Sequence, residues 1–231
     1  GMMSVGASAV NASDFTDADE IVNKDAVSTM TALGIINGKE DGSYFDPTGN
    51  VTRAEMAKML CVAINGGVDP VLGVKDTPTF TDIKGTWAES YIEYCAANGI
   101  IAGRGNNKFD PTGTVSATEA AKMLLGVLGY SAEKSGLVGN DWAINTNVLA
   151  NQNGLYKNLS NLNANTLLTR DNAAQMIYNA LDADMVELNA AGNYTTSQYS
   201  YTGTESVVTG TERVWVLTIK ENNCTDSGIK A

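Results

Sequence analysis

The chain has 231 residues, 43% of them hydrophobic, with a net charge of −11 and a pI near 4.4. The acidic balance argues against nucleic acid, which needs a basic footprint, and no window approaches the ~20 apolar residues of a membrane-spanning helix. Histidine is absent, which removes the commonest general base and metal ligand, and Cys61, Cys95 and Cys224 have no metal-ligand spacing.

Residues 1–13 open the chain. They are small and almost uncharged through Ala9-Val10-Asn11-Ala12, and read either as the tail of a secretory signal peptide or as a flexible terminus. A first unit, at about 14–66, begins with Phe15-Thr16-Asp17. A helix is expected from about Asp19 to Leu33, closed by Gly34, where glycine can take the left-handed conformation. Ile35 and Ile36 anchor a short apolar segment. Gly38 and Asp41-Gly42 mark one turn and Asp46-Pro47-Thr48-Gly49 a second. Thr52-Arg53-Ala54-Glu55 then has the capping-box pattern that starts a helix. Met56, Met59, Leu60, Ala63 and Ile64 give that helix a core-facing stripe.

Gly66-Gly67, Asp69-Pro70 and Thr77-Pro78 form a linker of turn residues. A second unit, at about 80–130, repeats the pattern. Phe80-Thr81-Asp82 opens it, and Trp87, Ile92, Cys95 and Ala96 lie on its first helix. The loop runs from Gly99 through Phe109-Asp110-Pro111, and Ser116 and Glu119 repeat the capping box. Cys61 and Cys95 read as small buried hydrophobes, with a disulfide between them as an unsupported alternative.

A worn third copy lies at about 137–184. Trp142 stands 12 residues before Gly154, as Trp87 stands 12 before Gly99. The helix after Trp142 is polar. Thr169-Arg170 keeps the helix start, but Asn172 replaces the glutamate, so a weaker cap is expected. Residues 185–231 change composition towards Tyr, Thr and Val. They read as a small β element, either completing the helical domain or opening a following region, with Arg213–Ile219 strand-like and Thr202–Glu205 and Thr209–Glu212 as turns.

Arg53 and Arg170 are unusual. A cation at a helix start meets the positive end of the helix dipole, at a cost of ~0.3–1 kcal/mol. Either a carboxylate of the same loop, Asp41 or Asp46, or an external carboxylate or phosphate would account for the choice. On the second reading Arg53 serves binding and contributes little to folding, and Lys58, further along the helix, is neutral. Trp87 and Trp142 also have two readings, as covers over a helix start or as faces for a sugar ring. Asp17, Asp82 and Asp141 recur near unit starts, but aspartate in a turn or cap explains them without catalysis. The acidic turn from Lys39 to Asp46 lacks the alternating ligands and terminal Glu of a calcium-binding EF-hand loop.

Three tandem units of helix, Gly-Ile-Ile-x-Gly loop, Asp-Gly-containing turn and Thr-Arg-Ala-Glu helix start resemble the S-layer homology (SLH) family over about residues 14–184. The resemblance is fullest in the first unit. The second has Ala117 where the first has Arg53, and the third lacks the glycine-rich loop. It implies a mainly α fold with three repeats in a pseudo-threefold arrangement around a central three-helix bundle. It also implies a non-catalytic module, secreted to a Gram-positive-type cell surface. Such a module binds secondary cell-wall polysaccharide, often pyruvylated, in grooves between repeats. The binding residues it implies are Arg53, Arg170, Asn37, Gly38, Asp41, Gly42, Glu55, Trp87 and Trp142, with Arg104 standing in for the missing arginine of the second groove. No cofactor or metal is implied. The alternatives are a self-assembling S-layer protein and the anchor of an exported enzyme whose catalytic domain lies outside this chain.

Overall fold

The computed structural model describes residues 11–159 and 165–196. Six α-helices dominate: α1 (Lys24–Ala32), α2 (Arg53–Ile64), α3 (Glu89–Ala97), α4 (Ala117–Val127), α5 (Trp142–Gln152) and α6 (Arg170–Leu181). An antiparallel hairpin follows, β1 (Val186–Leu188) paired with β2 (Tyr194–Thr196). The fold is mainly helical.

The helix starts form as the sequence dictates. Thr52 accepts from Glu55 N at 3.1 Å and Glu55 accepts from Thr52 N at 2.9 Å. Ser116 and Glu119 make the same reciprocal pair. Thr169 accepts from Asn172 N, but the return bond of a box is missing, as the substitution of glutamate by asparagine requires. Gly34, Gly99 and Gly154 all take positive φ, at 74°, 69° and 71°. Between Phe15 and Leu33 the chain differs from one continuous helix. It makes a 3-10 turn at Ala18–Glu20, and α1 begins only at Lys24.

Helices pack across pairs. The first helix of each pair lies on the second helix of another: α3 on α2, α5 on α4, and α1 on α6. The last contact joins the two ends of the helical region. Asp171, buried at the start of α6, accepts from Val22 N and Asn23 N and so holds the start of α1. The segments before α2, α4 and α6 are joined in a closed circuit. Val51 N donates to Leu168 O (3.0 Å), Leu168 N to Val115 O (2.9 Å), and Val115 N to Val51 O (2.9 Å). All three side chains are fully buried.

The methionine-bearing stripes are core. Met56, Leu60, Ala120, Leu124, Ala173, Met176 and Ile177 are fully buried. The polar α5 also finds partners: Asn147 accepts from the hydroxyls of Thr118 and Tyr156, and Asn145 donates to Gly136 O. Cys61 and Cys95 are buried with their sulfurs 3.6 Å apart, in hydrogen-bond contact but not joined by a disulfide, α2 against α3. The hairpin rests on the turn after α4, through Val186 N to Leu128 O (2.7 Å) and the Tyr194 hydroxyl to Ser131 and Ser135. Residues 1–10, the strand-like Arg213–Ile219, the turns near Thr202 and Thr209, and Cys224 lie outside the described residues. Among the described residues, no helix is long and apolar enough to cross a membrane.

A unit that buries its stripe only against its neighbours does not fold alone. In isolated residues 14–66, α1 lacks α6 and α2 lacks α3. That fragment is expected to show no cooperative thermal transition by circular dichroism, whereas residues 14–196 melt in one. A sharp melt of the fragment would contradict the shared core.

Candidate functional site

Two grooves, of about 640 and 560 Å3, open between helix pairs and are built from equivalent residues. The first brings together Arg170 from the start of α6, the Gly34–Asn37 loop, Glu55 and Lys58 of α2, and Trp87 from the start of the second pair. The second brings together Arg53 from the start of α2, the Ile100–Arg104 loop, Glu119 and Lys122 of α4, and Trp142 at the start of α5. Each groove therefore takes its arginine from one pair, its loop and helix from the next, and its tryptophan from the one after.

The arginines are not free cations. Arg53 is 3% exposed. Its Nε donates to Phe109 O (2.8 Å), Nη1 to Glu119 (2.7 Å) and Nη2 to Ala102 O (2.7 Å), and the guanidinium lies 4.4 Å from the centre of the Phe109 ring. Arg170 repeats this on the first loop: Nε to Phe45 O (2.8 Å), Nη2 to Asn37 O (2.6 Å), and 4.9 Å to the Phe45 ring centre. Burial lowers the pKa of both guanidinia, yet arginine remains charged in proteins. In place of the inferred anion, the helix-start arginines bond mostly neutral loop carbonyls of the neighbouring pair, with the Glu119 carboxylate added on Arg53. Neither Asp41 nor Asp46 bonds Arg53. The expectation that Arg53 contributes little to folding is corrected accordingly: it ties α2 to the second loop.

The loops are also fixed from the other side. Asp17 accepts from Phe45 N and Asp46 N, both at 2.8 Å, and Asp82 accepts from Phe109 N and Asp110 N at 2.9 and 2.8 Å. These bonds hold Asp46 and Asp110 at positive φ, 57° and 62°. Asp41 is exposed and accepts from Ser43 N; hydrogen bonding with the Ser43 side chain, then with its backbone, lowers the Asp41 pKa. Gly38 packs so closely that a Cβ would stand 2.8 Å from the Phe15 ring. Asn37 lines the first groove, whereas Gly38, Asp41 and Gly42 shape the loop behind it.

Arg104 does not stand in for a lost arginine. It lies in the same groove as Arg53, where its Nη2 donates to Glu119 at 2.7 Å and to Thr114 O at 2.8 Å, and its Nη1 to Asp110 at 2.7 Å. Burial alone would raise the pKa of Glu119. Hydrogen bonds from Arg104 and Ser116 N, with the charges of Arg53 and Arg104, outweigh it and hold the carboxyl below its usual range. The position without arginine is the third one. Ala117 N donates to Thr166 O, so Ala117 stands against the worn loop of the third pair. There Asn172 takes the place of Glu55, and Gln175 that of Lys58. Gln175 is buried and donates to Asn179, which donates to Leu155 O and Lys157 O.

Lys58, Lys122, Glu119 and Asp69 are groove residues that the sequence reading did not place at a site, Lys58 having been expected to be neutral. Lys122 Nζ stands 5.5 Å from the Trp142 ring centre and Lys58 Nζ 5.9 Å from that of Tyr91. Burial, then the charge of Arg53, lowers the pKa of Lys122. The signal was present in the repeated Ala-Lys-Met-Leu of α2 and α4, with Gln in the third copy. Trp87 is 60% exposed, edge-on to Tyr91, which removes the reading of it as core. Trp142 is half-buried.

Residues 14–57 and 79–121 match the S-layer homology domain model. The chain is an S-layer homology domain protein. It is 30% identical over 113 residues to an S-layer protein of Bacillus licheniformis, covering 49% of this chain and 12% of that protein. It is 29% identical over 182 residues to the surface-layer 125 kDa protein of Lysinibacillus sphaericus, 73% of this chain and 15% of that protein. It is 28% identical over 156 residues to exoglucanase XynX of Acetivibrio thermocellus, 63% of this chain and 14% of that protein. The chain thus spans about one seventh or less of the length of these relatives.

Arg53→Ala strips two loop carbonyls and one carboxylate oxygen of a buried charged donor. It is expected to destabilise the protein by about 2–5 kcal/mol in a guanidinium titration. Arg53→Lys recovers only part of this, because an ammonium cannot reach three acceptors in the geometry of a planar fork. A loss under about 0.5 kcal/mol for Arg53→Ala would show that the buried contacts carry no stability.

Proposed function

We propose that this chain is a non-catalytic anchoring module that binds an acidic secondary cell-wall polysaccharide at the bacterial surface. The observation that carries this reading is the duplicated groove: an arginine, a glutamate, a lysine and a tryptophan meet twice, in equivalent positions, from three successive helix pairs. A packed core gives no reason to leave an indole 60% exposed in the same groove as an ammonium. A glycan does, because the ring offers an apolar face to a sugar and the ammonium pairs with a carboxylate such as a pyruvate ketal. Lys122, whose charge is disfavoured by burial and by Arg53, gains most from an incoming anion. On a chain of net charge −11, an acidic polymer is attracted only by such local cationic clusters.

Residues 137–184 are proposed as a third, diverged repeat, and α2, α4 and α6 as the centre of a pseudo-threefold assembly. The closed circuit of Val51, Val115 and Leu168 supports this, as does the pairing of α1 with α6. The third position, having lost arginine, glutamate and lysine together, is proposed to bind no anion. Lys58 and Lys122 make the charged contact, Trp87 and Trp142 stack, and Arg53 and Arg170 hold the groove walls. Relatives named as S-layer proteins and as an exoglucanase fit one module carried by different cargo. They also keep self-assembly into a surface layer as a second reading. Sedimentation without any polysaccharide would favour that reading.

The Lys58→Ala/Lys122→Ala double variant is expected to melt within a few degrees of the wild type. Binding to purified sacculi should fall roughly ten- to a hundredfold, the value of a charge-assisted hydrogen bond. Co-sedimentation before and after chemical removal of the secondary polymer checks this. Equal binding to stripped sacculi would contradict the proposal.

A further inference from the structure

The two grooves share their plan but not their charge. Among the described residues that line the Trp142 groove, three cations (Arg53, Arg104, Lys122) face one carboxylate, Glu119. In the Trp87 groove two cations, Arg170 and Lys58, face two carboxylates, Glu55 and Asp69. The extra acid is Asp69, from the linker after α2. Its Oδ1 accepts from the Tyr91 hydroxyl at 2.6 Å, which fixes the carboxylate in place, and its Oδ2 lies 3.9 Å from Lys58 Nζ. Where the linker after α4 borders the second groove, Val138 and Gly139 stand instead.

We propose that the grooves are unequal sites for an anionic sugar and that Asp69 sets the difference, by occupying Lys58 so that the Trp142 groove fills first. This rests on the reading of the grooves as glycan sites. An exposed ion pair contributes little to stability, so Asp69 is not needed there for folding. Its effect falls on the ligand. An incoming carboxylate must displace Asp69 from Lys58 or accept a like charge a few ångströms away. At the high effective dielectric of an open groove, that repulsion corresponds to about a three- to tenfold weaker affinity. In the other groove the carboxylate is already held by two guanidinia through Arg53 Nη1 and Arg104 Nη2, which leaves Lys122 to the ligand.

Each groove carries its own reporter, so one titration reads both. In the 15N-labelled 231-residue chain, the indole N–H resonances of Trp87 and Trp142, assigned with Trp→Phe variants, are followed against a methyl hexopyranoside bearing a 4,6-pyruvate ketal. The Trp142 signal is expected to reach its midpoint at a three- to tenfold lower concentration than that of Trp87. Asp69→Asn, which keeps an acceptor for Tyr91, should move the Trp87 midpoint down to that of Trp142 and leave the Trp142 curve in place. With the uncharged methyl ester of the ketal, the wild-type midpoints should coincide. Equal wild-type midpoints with the acid, or a Trp87 curve unmoved by Asp69→Asn, overturn the inference and leave the glycan reading intact. If neither indole responds to the acid, both fall.

Discussion

The circuit of backbone bonds through Val51, Val115 and Leu168 is the constraint on which the rest depends. Each of these residues lies just before a helix whose first residue is position 53, 117 or 170. Closing the circuit brings three helix starts together and sets each beside the loop of the following pair. Arg53 N then meets Gly113 O, Arg170 N meets Gly49 O, and Ala117 N meets Thr166 O. Those pairings satisfy first-turn donors that a helix leaves without intrahelical partners. They also decide where an arginine side chain at that position goes: across the junction, under the neighbouring loop.

If residues 137–184 are a third, diverged repeat as proposed, this geometry explains why its departures come together. Read along the sequence, the second unit lacks an arginine and the third lacks a loop, which look like two unrelated defects. In space they are one, because Ala117 faces the third loop. A guanidinium buried there would have no ring of the Phe109 type beside it, since residues 157–169 contain no aromatic residue, and so would be less well compensated. Gln175 and Asn179 make neutral hydrogen bonds instead. The two intact junctions keep ring, carbonyls, arginine and glutamate as a set, and these are the two that leave open grooves.

Much of the fold was legible in the residues. Thr52 with Glu55 and Ser116 with Glu119 announced helix starts that the structure reproduces atom by atom, and Gly34 and Gly99 announced helix ends. These are local effects, decided by neighbours within a few positions. Arg53 was legible as an anomaly but not in its solution, since its acceptors on Ala102 and Phe109 are about fifty residues away. Asp17 and Asp82 were read as turn or cap residues, but their side chains instead accept from amides of a loop 27 to 29 residues further on, a long-range tie that no local pattern marks. Lys58 was not placed in a groove because helix periodicity marks it only as off the core stripe, which does not distinguish open solvent from a groove wall. Arg104 was assigned to the wrong junction because sequence order was taken for spatial order.

The most direct measurement on the central claim is native-state hydrogen exchange at the amides of Val51, Val115 and Leu168. In a closed circuit none of the three bonds opens without the others. The account predicts one common protection factor for all three, equal to that set by global unfolding. If Leu168 exchanged far faster than Val51 and Val115, the third pair would be a loosely attached appendage, and the account of a shared, closed core would be contradicted.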